Sequence, residues 1–124
     1  DLDYFKEVND SHGHAAGDKA LWEAARRISA AVRPQDVVTR SGGEEFVVLL
    51  QVHDPQELLL IAERIRSAMS DTLLTIDSQE LNLTISIGAA LRASQEVPSD
   101  TLNRADQALY QAKGNGRNRV ELAH

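Results

Sequence analysis

Two acidic stretches carry the chemistry this chain is equipped for. Near its middle, Thr39-Arg40-Ser41-Gly42-Gly43-Glu44-Glu45-Phe46 joins two short β-type runs, Asp36-Val-Val-Thr-Arg40 and Phe46-Val-Val-Leu-Leu50. Apolar runs joined by a glycine pair predict a tight hairpin, because glycine takes positive φ without steric cost. Bare backbone at Gly42 and Gly43 also leaves room for a ligand to come close. The carboxylates of Glu44 and Glu45 repel one another and are poor strand formers, yet they open a strand expected to lie mid-sheet. A divalent cation relieves that repulsion, and Mg²⁺ favours oxygen ligands shared with substrate phosphates. A solvated acidic hairpin tip suits the same residues, so the pair alone leaves both readings open. The second acidic stretch opens the chain, where Asp1 and Asp3 fall on one face of an extended segment.

The elements that must position these acids can be read from periodicity. A short helical turn is predicted from about Tyr4, ended by Ser11-His-Gly-His14, and a longer helix from about Ala15 to Val32. Leu21, Ala24, Ala25, Ile28, Ala31 and Val32 make its apolar stripe, with Glu23, Arg26 and Arg27 off it. After the hairpin, Asp54-Pro55-Gln56-Glu57 has the residues of a helix start: an N-cap, a proline at the first position and a capping acid. Leu58, Ile61, Ala62, Ile65 and Met69 are that helix's buried stripe. Leu81 to Leu91 alternates with period two and predicts an antiparallel strand, pairing with Leu73–Ile76 through an Asp77–Glu80 turn. A last helix over Ser99–Lys113, with Leu102, Ala105, Leu109 and Ala112 inward, leads through Gly114-Asn-Gly-Arg-Asn118 to a final strand at Arg119–Leu122. The order predicts an α+β sandwich of helices on a mainly antiparallel sheet.

Composition narrows the field. A chain of 124 residues fits one domain, and 42% hydrophobic with 26% charged residues is ordinary for a globular protein. Without cysteine there is no disulfide framework and no thiolate metal site, as suits a cytoplasmic domain. No run reaches the roughly 20 apolar residues of a membrane span. A net charge of −6 argues against binding a nucleic-acid polymer through a basic face. The opening Asp1-Leu-Asp-Tyr-Phe, without methionine, reads as a piece of a longer protein that starts at the end of a strand.

Asp1-Leu-Asp-Tyr-Phe-Lys6, Asn9-Asp10, Gly13-His14, Gly17-Asp18, Ser41-Gly-Gly-Glu-Glu-Phe46 and Ala112-Lys-Gly-Asn-Gly-Arg-Asn118 together resemble the GGDEF family of diguanylate cyclases. The match runs in order and at family spacing over essentially the whole chain, in the GGEEF variant. The resemblance implies one catalytic domain over residues 1–124 with an incomplete first strand. It implies a palm-like fold related to nucleotide cyclases and polymerases. It also implies condensation of two GTP into cyclic di-GMP and pyrophosphate. Asp1 and Glu44, with the Leu2 carbonyl, match the ligands of two Mg²⁺ (or Mn²⁺) ions, and Glu45 assists at the second ion or takes a proton. Asp3 supports the strand end. Asn9 and Asp18 match the guanine-reading positions, while Lys113, Arg117 and the amides of Tyr4, Phe5 and Lys6 match the triphosphate clamp. Gly42 and Gly43 leave room for the substrate. Arg33 and Asp36, with Arg64 on the third helix, match an inhibitory site for the product, cyclic di-GMP.

The bland readings of the same residues stand beside these. Asn9 caps a turn, Asp18 favours a helix's first turn, and Lys113 and Arg117 suit a helix C-terminus. His12 and His14 lack partners for a metal and are read as turn residues; Ser41 stands where many members carry an aromatic. The resemblance further implies a homodimer, since each copy holds half of the reacting pair. An upstream sensor or receiver domain, in a larger protein that is free or membrane-anchored, is expected to impose it, with no membrane contact by this domain. A non-catalytic module binding cyclic di-GMP or GTP is the other reading.

Overall fold

The computed structural model describes residues 1–124. Its order is α1 (Phe5–His12), α2 (His14–Ala31), β1 (Val37–Gly42), β2 (Glu45–Leu49), α3 (Pro55–Ser70), β3 (Leu74–Ile76), β4 (Gln79–Leu81), β5 (Ile87–Ala89), α4 (Pro98–Gly114) and β6 (Val120–Leu122). The predicted α+β architecture is present, with the strands falling into three two-stranded sheets.

The hairpin forms as its sequence predicts. β1 and β2 are antiparallel, and Gly43 takes a φ of +47° in the two-residue loop that Gly42 and Glu45 close. The register shifts between Arg40 and Gly42, which leaves Ser41 as the extra residue of a bulge. β2 does not lie mid-sheet: its one ladder partner is β1. β3 and β4 join through Asp77 and Ser78, whose φ values of 49° and 67° make a tighter turn than the four residues expected.

The stretch 81–91 departs from the predicted single antiparallel strand. Leu81 ends β4, Leu2 bridges Ile85 antiparallel, and Ile87–Ala89 pairs with β6 in parallel. Alternation predicted the buried face correctly: Leu83, Ile85 and Ala89 are in the core. It carried no information on partner direction, since both ladders share a period of two.

The helices bury most of their predicted stripes, with Ala25, Val32, Ala105 and Leu109 half-buried. Leu58, Ile61, Ala62, Ile65 and Met69 of α3 are all buried, and the Asp54 carboxylate caps the helix by accepting from the Glu57 amide at 2.8 Å. On α2, Arg27 is buried despite its charge, donating to the Met69 carbonyl at 2.6 Å and to Glu23 at 3.0 Å. A buried guanidinium needs such partners, and they cross-link α2 to the end of α3. On α4, Leu102 is exposed and Ala108 and Ala112 are buried. Small residues are needed there because α4 lies directly on β5. A Cβ at Gly88 would stand 2.0 Å from the Ala105 carbonyl oxygen.

Candidate active site

The site is built on the three residues that open the chain. The Leu2 amide donates to the Glu44 carbonyl at 3.2 Å, the Asp3 amide to Thr84 at 3.0 Å, and the Ser86 amide to the Asp1 carbonyl at 3.1 Å. Asp1–Asp3 therefore stitches the hairpin loop to the 84–86 segment. Leu2 is buried in the core, yet its own carbonyl accepts no hydrogen bond from backbone or side chain. Leu2 also lines the cleft that opens over this segment, so that oxygen is available to a ligand there.

The two acids of this segment have different fates. Asp3 is enclosed and fully engaged. It accepts from Ser86 at 2.6 Å, from Thr84 at 2.7 Å and from the Asn118 amide at 2.9 Å. It supports the strand end, with both of its oxygens engaged. Asp1 meets the Lys113 ammonium at 3.0 Å, with its side chain only 5% exposed. One cation is thus already held against the acid that the sequence marks as a metal ligand.

A cleft of about 250 Å³ opens over this segment, lined by Asp1, Leu2, Tyr4, Phe5, Lys6, Glu7, Glu44, Lys113 and Arg117. Arg117 lies with its guanidinium carbon 5.0 Å from the centre of the Tyr4 ring, a cation–π contact. Tyr4 precedes α1 in a left-handed conformation, φ 59°, and no side chain caps the helix. The amides of Tyr4, Phe5 and Lys6 consequently have no backbone acceptor. Free amides at a helix start, with cationic side chains nearby, favour an anion. An acidic wall and a cationic wall share one cleft.

Of the adjacent motif acids, only Glu44 lines the cleft; Glu45, the first residue of β2, is exposed outside it. Open space lies above Gly42 and Gly43. Asn9 sits against α2 at Gly17, where a Cβ would fall 1.8 Å from its side-chain oxygen. Asp18, exposed on the next position, lines a neighbouring groove of about 380 Å³ with Leu21, Trp22, Arg40 and Phe46. Asn9 and Asp18 are thus brought to adjoining surfaces of the α1–α2 pair, outside the cleft itself.

Arg33 and Asp36 are also brought together. Asp36 accepts from the Arg33 amide at 3.0 Å, the Gln51 amide at 3.1 Å and the Arg33 side chain at 3.3 Å. Burial raises the Asp36 carboxyl, but these bonds outweigh it and leave the pKa below its ordinary value. Arg33 reaches on to Glu57 of α3 at 3.3 Å. Arg64 is exposed two turns further along α3, on the face that carries Glu57.

Sequence reasoning missed several supporting residues. Ser86 and Thr84 hold Asp3, Arg40 donates to the Gly43 carbonyl at 2.8 Å and braces the hairpin loop, and Asn118 receives Arg66. A search for buried hydroxyls beside the apolar alternation would have found Ser86. The contacts of Arg40 and Arg66 depend on chain paths that no local pattern encodes.

Fold and cleft define a palm-type α+β domain with an acid-bearing hairpin and a cation-bearing helix end. The family model described as "Diguanylate cyclase, GGDEF domain" matches residues 1–119, and the chain belongs to that family. It is 43% identical to diguanylate cyclase A of Treponema denticola over 124 residues, covering 99% of this chain and 33% of that protein. It is 45% identical to response regulator PleD of Caulobacter vibrioides over 123 residues, 97% of this chain and 27% of that one. The chain thus spans a third or less of the length of these relatives. Among solved structures, the GGDEF domain of YfiN (TpbB, PA1120) from Pseudomonas aeruginosa superposes with a TM-score of 0.93 at 38% identity. That match covers 100% of this chain and 78% of the other. The GGDEF domain of DgcB from Caulobacter crescentus, solved in complex with c-di-GMP, gives 0.93 at 35% identity, covering 98% and 73%.

Proposed function

We propose that this domain is the catalytic half-site of a diguanylate cyclase, joining two GTP into cyclic di-GMP with release of two pyrophosphates. The observation that carries the reading is the cleft itself, where Asp1 and Glu44 share one opening with Lys113, Arg117 and the free amides of α1.

The residues fit a divalent cation. Asp1 and Glu44 would supply carboxylates, and the Leu2 carbonyl, which accepts no hydrogen bond, would add a neutral hard oxygen. Two Mg²⁺ or Mn²⁺ ions held by these residues would supply neutralisation of triphosphate charge and a lowered pKa for the attacking 3′-hydroxyl. Lys113, Arg117 and the Tyr4, Phe5 and Lys6 amides hold the phosphates. Glu45, exposed beside the loop, assists at the second ion or takes the hydroxyl proton. Asn9 and Asp18 read guanine, with Asp18 accepting from its N1 and N2 hydrogens. Adenine lacks that donor pair and would leave the carboxylate unpaired. Gly42 and Gly43 give the ribose room.

Each copy holds one GTP, so turnover needs a homodimer in which each hydroxyl attacks the other's α-phosphate. An upstream sensor or receiver domain imposes that pairing in the cytoplasm. Arg33, Asp36 and Arg64 bind the product and slow the reaction; the c-di-GMP complex of the DgcB domain supports product binding in this family. The preformed Arg33–Asp36 pair also serves a second reading, a non-catalytic cyclic di-GMP receptor.

Incubation with GTP and Mg²⁺ over a series of protein concentrations separates the two. Cyclic di-GMP formed at a rate rising faster than protein concentration is the expected result. Product that binds without any turnover, even in a forced dimer, moves the domain to the receptor class.

A further inference from the structure

The loop after α4 takes an improbable path. Gly116, Arg117 and Asn118 have successive φ values of 119°, 64° and 45°, a left-handed course that non-glycine residues avoid. Such a conformation persists only where its surroundings hold it. On one side the Asn118 amide is held by Asp3 at 2.9 Å. On the other, the Asn118 side-chain oxygen accepts from Arg66 at 3.0 Å, a contact reaching across 52 residues of chain. Arg66 belongs to α3 and does not line the cleft. Its guanidinium is itself oriented, because the same group donates to Glu63 at 2.7 Å.

We propose that Arg66 is a positioning residue for anion binding. It grips Asn118 and thereby fixes the adjacent Arg117 guanidinium in the cleft. Arg117 is otherwise held by its amide, which donates to Ala112 at 2.9 Å, by its carbonyl, which accepts from the Arg119 side chain at 3.2 Å, and by its stacking on Tyr4. Asp3 holds the Asn118 amide, and of these contacts only that of Arg66 reaches the Asn118 side chain. A guanidinium binds phosphate strongly only when its fork is held in the right plane, so releasing the Asn118 side chain lowers affinity for the outer phosphates and not for the base. This rests on the GTP reading above, and it adds to that reading a residue outside the site.

The test is calorimetric titration of the chain with GTP and with GMP, in Mg²⁺, for wild type, Arg66→Met and Asn118→Gly. Glycine is chosen because it keeps the left-handed path while removing the gripped side chain. Arg66→Met and Asn118→Gly should each weaken GTP about tenfold, the worth of one charge-assisted hydrogen bond, and change GMP less than twofold. The double variant should be no weaker than either single one, since both remove the same contact. Equal loss for GTP and GMP, unchanged GTP binding in Arg66→Met, or additive losses in the double variant would each overturn the proposal. Wild-type protein that binds no GTP sinks the GTP reading and this proposal with it. Wild type that binds while Arg66→Met binds equally well sinks only the role of Arg66.

Discussion

Glu44 and Glu45 are neighbours with different surroundings. Glu44 occupies the second position of the hairpin loop and lines the cleft, whereas Glu45 begins β2 and faces solvent. Removing charge from Glu44 should therefore cost far more than removing it from Glu45. Glu44→Gln is expected to lower cyclic di-GMP formation roughly a hundredfold or more, the several kcal/mol assigned to a metal-held charge in phosphoryl transfer. Its circular dichroism should be unchanged, because the fold uses the Glu44 backbone carbonyl and not its side chain. Turnover retained in a metal-replete Glu44→Gln protein would remove Glu44 from the ligand set. Asp3 shows the reverse case: an acid within two residues of the site whose two oxygens are both engaged, by Ser86, Thr84 and Asn118.

Among the elements, α4 does the most to place the cationic wall, and its start is fixed by one acid. Glu96 accepts from Arg104 at 2.7 and 2.8 Å, from the Ala93 amide at 3.0 Å and from Thr101 at 2.8 Å. Arg104 also donates to the Leu91 carbonyl at 2.6 Å, so the knot ties the β5–α4 loop to the helix. The Arg104 hydrogen bonds, followed by those of Ala93 and Thr101, lower the Glu96 pKa from 4.5 to about 2. A carboxyl depressed in the folded state contributes stability above its unfolded pKa and loses it as pH falls. That contribution is complete above about pH 4.5 and fades toward pH 2. Urea unfolding at pH values across that window should show a shallower loss of stability in Glu96→Gln than in wild type. Identical slopes would mean the knot carries no net linkage.

Across the whole molecule, three small sheets are held together by side chains as much as by ladders. Arg27 ties α2 to α3, Asp3 ties the chain's first residues to the loop after α4, and Arg33 ties the 33–36 turn to α3. The shared core of Leu2, Ile28, Ile65, Met69, Leu83 and Ile85 lies beneath all of them. α3 therefore touches both regions proposed to bind nucleotide: the cleft loop through Arg66 and the Arg33–Asp36 turn through Glu57. Arg64, exposed on the same helix, should contribute one charge-assisted contact to bound product. Arg64→Ala is expected to raise the cyclic di-GMP concentration for half inhibition about tenfold. An unshifted inhibition curve in a turnover assay would exclude Arg64 from the product site.

Local chemistry makes much of this molecule legible in its sequence. The α3 start at Asp54-Pro55, its five-residue buried stripe and the Gly42-Gly43 loop are dictated by capping, periodicity and positive φ, all of which act over a few residues. The motif residues Asp1, Glu44, Lys113 and Arg117 are readable through family resemblance, and the fold brings them to one cleft. Tertiary structure alone decided that Ile87–Ala89 runs parallel to β6, that Arg27 is buried, that Leu102 is not, and that Asn118 is gripped by Asp3 and Arg66. Each of these depends on which distant segment arrives alongside. Alternation and helical stripes specify a buried face, but the partner that covers it is chosen only when the whole chain packs.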